Sequence, residues 1–151
     1  MLILENSQAK ISMKEIEEFE KIVGQKLPDD YTAFLLENNG GKPTPRRYKT
    51  KDNKIESSIM LFLPLADIES SNLMKNYIIF NKGNLIPKNL LPIGETPRKY
   101  QICISLSGKD IGAVYHWFFE DEEDTMPSYD NMYLIANSFS EFINTLFTPQ
   151  S

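Results

Sequence analysis

The sequence predicts an α+β fold in which a mostly antiparallel central sheet is flanked by a pair of N-terminal helices and one C-terminal helix. Helix-start patterns occur near both ends of the chain, at Ser12, Pro28 and Ser138. The middle of the chain holds the β-prone runs, the clearest of them between Tyr100 and Phe119. Because strands and helices do not alternate along the chain, the pattern is that of an α+β protein and differs from that of a doubly wound sheet.

The first helix is predicted to begin at Ser12, which forms a capping box with Glu15: each side chain can accept a hydrogen bond from the other residue's backbone N–H. Gly24 is predicted to end this helix in the left-handed conformation that glycine adopts without strain. Between these two signals, apolar residues recur at helical spacing and line one face of the predicted helix: Ile16, Phe19, Ile22 and Val23.

The second helix is signalled by Pro28, whose fixed φ suits a first helical turn, and by Asp29 and Asp30, whose charges favour the positive end of the helix dipole. Its end is predicted at 38–41, where two asparagines are followed by two glycines that let the chain turn sharply. The predicted buried stripe consists of Tyr31, Phe34 and Leu35.

The segment Lys42–Lys54 carries six Lys or Arg and one acid, and Pro43 and Pro45 are expected to interrupt regular structure in it. We therefore predict an exposed loop or ribbon. The apolar run Ile59–Leu63 predicts a short buried strand, although its periodicity also fits a buried helical turn. A weaker helical pattern follows at 68–80.

Two β-prone runs, Tyr100–Leu106 and Ala113–Phe119, are separated by a glycine-containing turn and predict a β-hairpin. Leu90–Ile93 and Met132–Ile135 are expected to add neighbouring strands. The last helix is predicted after Ser138, from a second capping-box pattern and an apolar face. That pattern and face consist of Ser138, Glu141, Phe142, Ile143, Leu146 and Phe147.

Composition indicates one domain spanning residues 1–151, with 41% hydrophobic residues to fill its core. The net charge of −5 argues against direct nucleic-acid binding, which needs clustered Lys and Arg. Cys103 is the only cysteine, which excludes an internal disulfide and fits a reducing compartment. The N-terminal apolar run ends at Leu4, and no run reaches the roughly 18 residues of a membrane span, so we expect a cytoplasmic protein without membrane contact.

Catalysis of the Ser-His-Asp or Cys-His type would depend on His116, the only histidine. His116 lies within a predicted strand beside Trp117, and Cys103 lies between Ile102 and Ile104, so packing explains both residues better than chemistry. The phosphate-binding patterns G-x-x-x-x-G-K-[ST] and G-x-G-x-x-G are absent from the sequence. We therefore expect no enzymatic activity and no cofactor.

The strongest functional signal is a run of five consecutive acids: Glu120, Asp121, Glu122, Glu123 and Asp124. No Lys or Arg occurs between Asp110 and Asp130 to balance them, and the calcium-loop pattern is absent, so no metal site is expected. Aromatic residues are favoured interface anchors, and a patch of one charge sign speeds encounter with its opposite. We therefore predict a docking surface for a basic partner, the alternative being a solvated loop. Its aromatic residues are Tyr115, Trp117 and Tyr129.

Seven short motifs follow one another along nearly the whole chain. They are Ile16-Glu17 with Phe19 to Gly24, Leu27 to Tyr31 with Phe34-Leu35, Asn39-Gly40-Gly41, Leu91-Pro92-Ile93-Gly94, Gln101-Ile102-Cys103-Ile104-Ser105, Gly112 to Val114-Tyr115 with Trp117, and Ile135-Ala136 with Ser138-Phe139 and Glu141-Phe142. Each motif is generic by itself. In this order they resemble the SUKH superfamily of Smi/Knr-type proteins, which includes yeast regulators of cell-wall synthesis.

The resemblance implies a SUKH-like domain with a curved, mostly antiparallel sheet and no catalytic residues. Most bacterial members resemble immunity proteins against polymorphic or contact-dependent toxins, often nucleases, and nucleases are basic because they bind phosphate backbones. One departure is visible at 97–100, where this chain has Pro-Arg-Lys-Tyr and many members have Gly-Asp before the following strand. The turn into that strand is expected to differ, together with any partner contact there.

The leading hypothesis is therefore an immunity protein that binds one cognate toxin, basic and in some cases a nuclease, and occludes its active site. The alternatives are a regulatory scaffold with several partners, a small enzyme that uses His116, and a ligand pocket in the sheet. The basic segment Lys42–Lys54 would instead suit an acidic partner. The sequence leaves the oligomeric state open, with a monomer favoured.

Overall fold

A computed structural model of the chain describes residues 2–118 and 127–149. Its helices are α1 (Met13–Val23), α2 (Asp29–Glu37), α3 (Leu73–Asn76), a π-helix (Tyr77–Lys82) that continues α3, and α4 (Phe139–Asn144). Its strands are β1 (Ile3–Glu5), β2 (Lys42–Thr44), β3 (Arg47–Lys49), β4 (Glu56–Ser58), β5 (Leu61–Phe62), β6 (Leu90–Glu95), β7 (Gln101–Ser105), β8 (Val114–Trp117) and β9 (Met132–Ala136).

The central sheet has five antiparallel strands in the spatial order β5-β6-β7-β8-β9. The predicted hairpin forms β7 and β8, in which Cys103 pairs with Tyr115 and Ile102 with His116. With α1 and α2 before the sheet and α4 after it, the predicted α+β fold is confirmed. α4 packs on α2 through an edge-to-face contact between the rings of Tyr31 and Phe139, whose centroids are 5.1 Å apart.

Both faces of the sheet carry a hydrophobic cluster, because successive side chains of a strand point to opposite sides. On the inner face, Ile102 and Ile104 join the large core that the helices cover. On the outer face, Cys103 and Trp117 form a smaller cluster with Ile86 and two other described neighbours, Leu90 and Phe80. We call these the inner face and the outer face below.

The predicted helix caps are present at both ends of the chain. The Ser12 hydroxyl accepts from the Glu15 N–H at 3.4 Å, and the Glu15 carboxylate accepts from the Ser12 N–H at 3.2 Å. At α4, the Ser138 hydroxyl accepts from the Glu141 N–H at 3.0 Å, as predicted. The Glu141 carboxylate instead accepts from the Asn137 N–H at 3.4 Å and pairs with Lys51, so it also ties α4 to the segment after β3.

The two glycines that follow α2 meet a steric requirement as well as a conformational one. Gly40 and Gly41 have φ values of 74° and 123°, which L side chains rarely adopt. A Cβ atom on Gly40 would lie 2.8 Å from the Phe62 carbonyl oxygen, and one on Gly41 would lie 2.7 Å from the Glu5 carbonyl oxygen. The turn itself therefore packs closely against β5 and β1.

The basic segment Lys42–Lys54 is more regular than predicted. Pro43 does not interrupt regular structure, because it lies inside β2, opposite Leu4 of β1. β1 and β2 form a two-stranded ribbon in which a residue without an N–H is tolerated. β3 pairs with β4, and Tyr48 at its centre is 1% exposed. The lysines of the segment are exposed, as predicted, but Pro43, Tyr48 and Thr50 are buried, so the prediction of an exposed segment was wrong for these three.

The region between the ribbon and β6 matches the prediction in type and differs in extent. β5 covers only Leu61–Phe62 of the predicted strand, with Ile59 and Leu63 buried on either side. The predicted helical pattern at 68–80 is confirmed as α3 and the π-helix. α3 begins after Asn72, whose side-chain oxygen accepts from the Lys75 N–H at 2.9 Å.

Candidate partner-binding site

The predicted docking surface lies at the β8–β9 end of the sheet. The five acids Glu120 to Asp124 lie outside the described residues. β8 and β9 pair antiparallel, so these acids belong to the connection between the two strands. The described chain on either side of it is paired as well, because the Phe118 N–H donates to the Asn131 carbonyl oxygen at 2.9 Å.

The three predicted aromatic residues differ in exposure. Trp117 is 6% exposed and packs edge-to-face on Phe80, with ring centroids 5.3 Å apart, so it belongs to the outer-face cluster. Tyr115 is half-buried beside that cluster. Tyr129 is 39% exposed and packs its ring edge-to-face against Tyr115 at 5.5 Å. Of the three, Tyr129 therefore offers the most surface to a partner.

Asp110 holds the two tyrosines together. Its carboxylate accepts from the Tyr115 hydroxyl at 2.7 Å, from the Tyr129 hydroxyl at 2.8 Å and from the Ser105 hydroxyl at 2.8 Å. Partial burial by itself raises the pKa of Asp110, but these hydrogen bonds outweigh burial and hold the pKa below its ordinary value. Asp110 is therefore an ionised acceptor inside the protein.

Asn89 completes this network from the start of β6. Its amide donates to the Tyr129 hydroxyl at 2.7 Å and to the Ser105 hydroxyl at 3.2 Å. Burial raises the pKa of the Tyr115 hydroxyl, and the hydrogen bond to Asp110 raises it further, so this hydroxyl remains a donor at neutral pH. Tyr129, in the chain just before β9, is thus fixed by two hydrogen bonds and one ring contact.

The sequence analysis proposed Tyr115 and Tyr129 as interface residues and did not identify the hydrogen bonds that Asp110 and Asn89 form with them. Asp110 was counted among the unbalanced acids of this region; it keeps its charge, and three neutral hydroxyl groups donate to its carboxylate. Asn89 is 40 positions from Tyr129, and no local pattern marks such a contact.

His116 and Cys103 lie on opposite faces of the sheet and cannot form a catalytic pair. His116 points to the inner face, is 2% exposed, and has its Nδ1 atom 2.6 Å from the Tyr48 hydroxyl. Burial lowers the pKa of His116 from 6.5 to about 4, so the imidazole is neutral at pH 7. Burial raises the pKa of the Cys103 thiol, which therefore stays protonated. Both residues have the packing role that the sequence favoured.

The turn before β7, where the sequence departs from many family members at 97–100, contains a left-handed residue. Lys99 adopts a left-handed φ of 64°, and its N–H donates to the Thr96 carbonyl oxygen at 2.9 Å. Tyr100 then stacks on Phe118 with ring centroids 4.9 Å apart.

Comparison with known proteins decides the family. The model of the SMI1 / KNR4 family (SUKH-1) matches residues 10–145. The chain belongs to the SUKH-1 family. It is also 29% identical over 150 residues to the SPbeta prophage-derived uncharacterized protein YokK of Bacillus subtilis (strain 168), covering 88% of this chain and 73% of that protein.

Two negative findings apply to this SUKH-1 protein within residues 2–118 and 127–149. No helix there is long and apolar enough to cross a bilayer. No three His, Cys, Asp or Glu side chains in those ranges lie together as a set of metal ligands.

Proposed function

We propose that this SUKH-1 protein is an immunity protein that binds one basic cognate toxin in the cytoplasm and occludes its active site without catalysis. Membership of a superfamily of immunity proteins supports the general role. The observation that carries the docking surface is the position of Tyr129, which Asp110 and Asn89 hold, partly exposed. In the sequence, Tyr129 follows the five acids within the same connection between β8 and β9.

The proposed surface combines an anchor with a steering field. A tyrosine that is already held in place loses little conformational freedom on binding, so its contact area contributes to affinity. The acidic connection attracts a basic partner over a distance of about one Debye length and speeds association. The attraction is assigned mainly to Glu120–Asp124, because they supply five of the seven acids from Asp110 to Asp130.

Nuclease toxins are one class of basic partner that fits this surface, because their active sites bind phosphate and carry Lys and Arg. An acidic inhibitor surface covers such a site by presenting carboxylates where the nucleic-acid phosphates would lie. The Tyr115 ring packs edge-to-face against the Tyr129 ring and supports it. Trp117 holds β8 in place by packing on Phe80.

The test measures binding to the partner that this protein captures from its source cell, after both proteins are purified. One variant replaces the five acids by Asn and Gln. A matched control neutralises three exposed acids elsewhere: Glu5, Glu17 and Glu37. We expect the five-acid variant to bind more slowly and with a smaller dependence on salt. We expect the control to keep the association rate and salt dependence of the wild type.

The proposal for this surface fails if the five-acid variant keeps the wild-type affinity and salt dependence. A Tyr129→Ser variant then separates the anchor from the charge, because it removes the ring and leaves all five acids. Capture of several non-toxic partners would support the regulatory-scaffold alternative instead.

A further inference from the structure

A second surface, far from β8 and β9 in the chain, has the form of a docking groove. The groove has a volume of about 770 Å³ and lies between α1 and the wall formed by residues 65–78. Phe19 and Ile22 line it from α1, and Met74 and Ile78 line it from the opposite side. Ile22 and Ile78 are 50% and 51% exposed, although they are large and apolar. Adjacent exposed apolar side chains of this kind mark binding surfaces.

The rim of this groove is acidic. Glu15, Glu18, Asp67 and Glu69 surround it, and Lys75 is the one cation among its lining residues. The Lys75 ammonium group donates to the backbone carbonyl oxygen of Glu69 at 2.7 Å. Within residues 2–118 and 127–149, none of the four acids forms an ion pair. The groove therefore presents a negative field around an apolar floor.

The wall opposite α1 is held in shape by two buried asparagines. The Asn72 amide donates to the carbonyl oxygens of Ile68 at 3.2 Å and Ser70 at 3.0 Å. The Asn39 side chain accepts from the Leu65 N–H at 2.8 Å and donates to the Leu65 carbonyl oxygen at 3.1 Å. Because these hydrogen bonds fix the wall before any partner arrives, binding costs little conformational entropy for ordering it.

We propose that this groove binds a basic amphipathic segment of a partner protein. Its apolar side chains would lie between Ile22 and Ile78, and its Lys or Arg side chains would reach the acidic rim. Charge complementarity selects this occupant, since an anionic membrane surface would be repelled by the rim. In a second copy of this chain, Lys42, Arg47 and Lys49 of the basic stretch Lys42–Lys54 are already paired in the strands β2 and β3. This surface is independent of the proposed immunity function.

The test uses the full chain and a synthetic probe, so no toxin is involved. The probe is a fluorescently labelled helical peptide of leucine and lysine, about five turns long, with leucine along one face. Fluorescence anisotropy is expected to show saturable binding. A matched peptide with glutamate in place of lysine is expected not to bind.

Two groups of protein variants locate the binding. Ile22→Asn and Ile78→Asn are each expected to weaken peptide binding about tenfold, because each removes apolar contact at the floor. Met60→Asn is the control, since Met60 is 48% exposed and lies outside the groove. A Glu18→Gln and Glu69→Gln double variant, in which only exposed charges change, is expected to lower the salt dependence of binding.

Three results overturn the proposal. They are equal binding of the lysine and glutamate peptides, equal loss of affinity in Met60→Asn and Ile78→Asn, and no binding of the lysine peptide to the folded wild type. Circular dichroism of each variant shows whether it is folded, and the charge variant decides the question if an apolar variant does not fold.

Discussion

Protonation of His116 is expected to limit the acid stability of this protein. The imidazole is enclosed by the inner core and lies 2.6 Å from the Tyr48 hydroxyl, and burial lowers its pKa from 6.5 to about 4. A histidine with a depressed folded-state pKa stabilises the fold fully above the unfolded-state pKa, and this stability is lost as the pH falls. The His116 contribution to stability is therefore lost between about pH 6.5 and about pH 4.

The magnitude follows from the two pKa values. Each tenfold difference in proton affinity is worth about 1.4 kcal/mol, so the difference between 6.5 and about 4 corresponds to about 3 kcal/mol of unfolding free energy. The comparison variant is His116→Gln, which carries no charge at any pH and keeps a polar group near Tyr48. Both proteins also lose stability through their carboxylates, so the His116 contribution is the difference between their two curves.

The assay is urea denaturation at a series of pH values between 8 and 4. We expect the wild type to lose about 3 kcal/mol more than His116→Gln across this range. An NMR titration of the imidazole gives the folded-state pKa directly. Parallel stability curves for the two proteins, or a His116 pKa near 6.5, would refute the reasoning.

Three further predictions concern the backbone and the tyrosine network. Gly40→Ala should lower the unfolding free energy by about 2–4 kcal/mol in urea denaturation, because it strains a φ of 74° and places a Cβ 2.8 Å from the Phe62 carbonyl oxygen. Lys99→Gly should raise it by up to about 1 kcal/mol, seen as a higher thermal midpoint, because it relieves a left-handed lysine; an unchanged or lower midpoint would contradict this. Asp110→Asn should cost about 1–2 kcal/mol and weaken partner binding with Tyr129 still present, since a neutral amide accepts weaker hydrogen bonds; wild-type affinity would contradict the positioning role.

Most of the fold could be predicted because its signals are local. The capping pairs at Ser12 and Ser138 and the turn between β7 and β8 each lie within a few residues, and each forms a local structure that the whole fold keeps. The observed ends of helices and strands differ from the predicted ones where tertiary contacts determine them. β5 covers only Leu61 and Phe62, which lie in register with Glu95 and Gly94, although the Met60 and Leu63 N–H groups also donate to β6, to the Glu95 and Ile93 carbonyl oxygens.

The candidate site was less predictable, because its contacts join distant parts of the chain. Tyr48 and His116 are 68 positions apart, and their hydrogen bond depends on β3 packing across the inner face of the sheet. The same holds for Asn89 and Tyr129. Segment 42–54 was misjudged because its charges indicate exposure while Pro43, Tyr48 and Thr50 are buried. A pattern of composition cannot show which side chains of a ribbon turn inward.

The most direct test of the central proposal is survival of cells that express the captured partner, with and without this protein. The proposed function predicts that the partner alone stops growth and that co-expression of the wild type restores it. It also predicts that the variant lacking the five acids and Tyr129 restores growth less well than the control lacking Glu5, Glu17 and Glu37. A captured partner that is harmless by itself, or a toxic partner that this protein does not neutralise, would contradict the account.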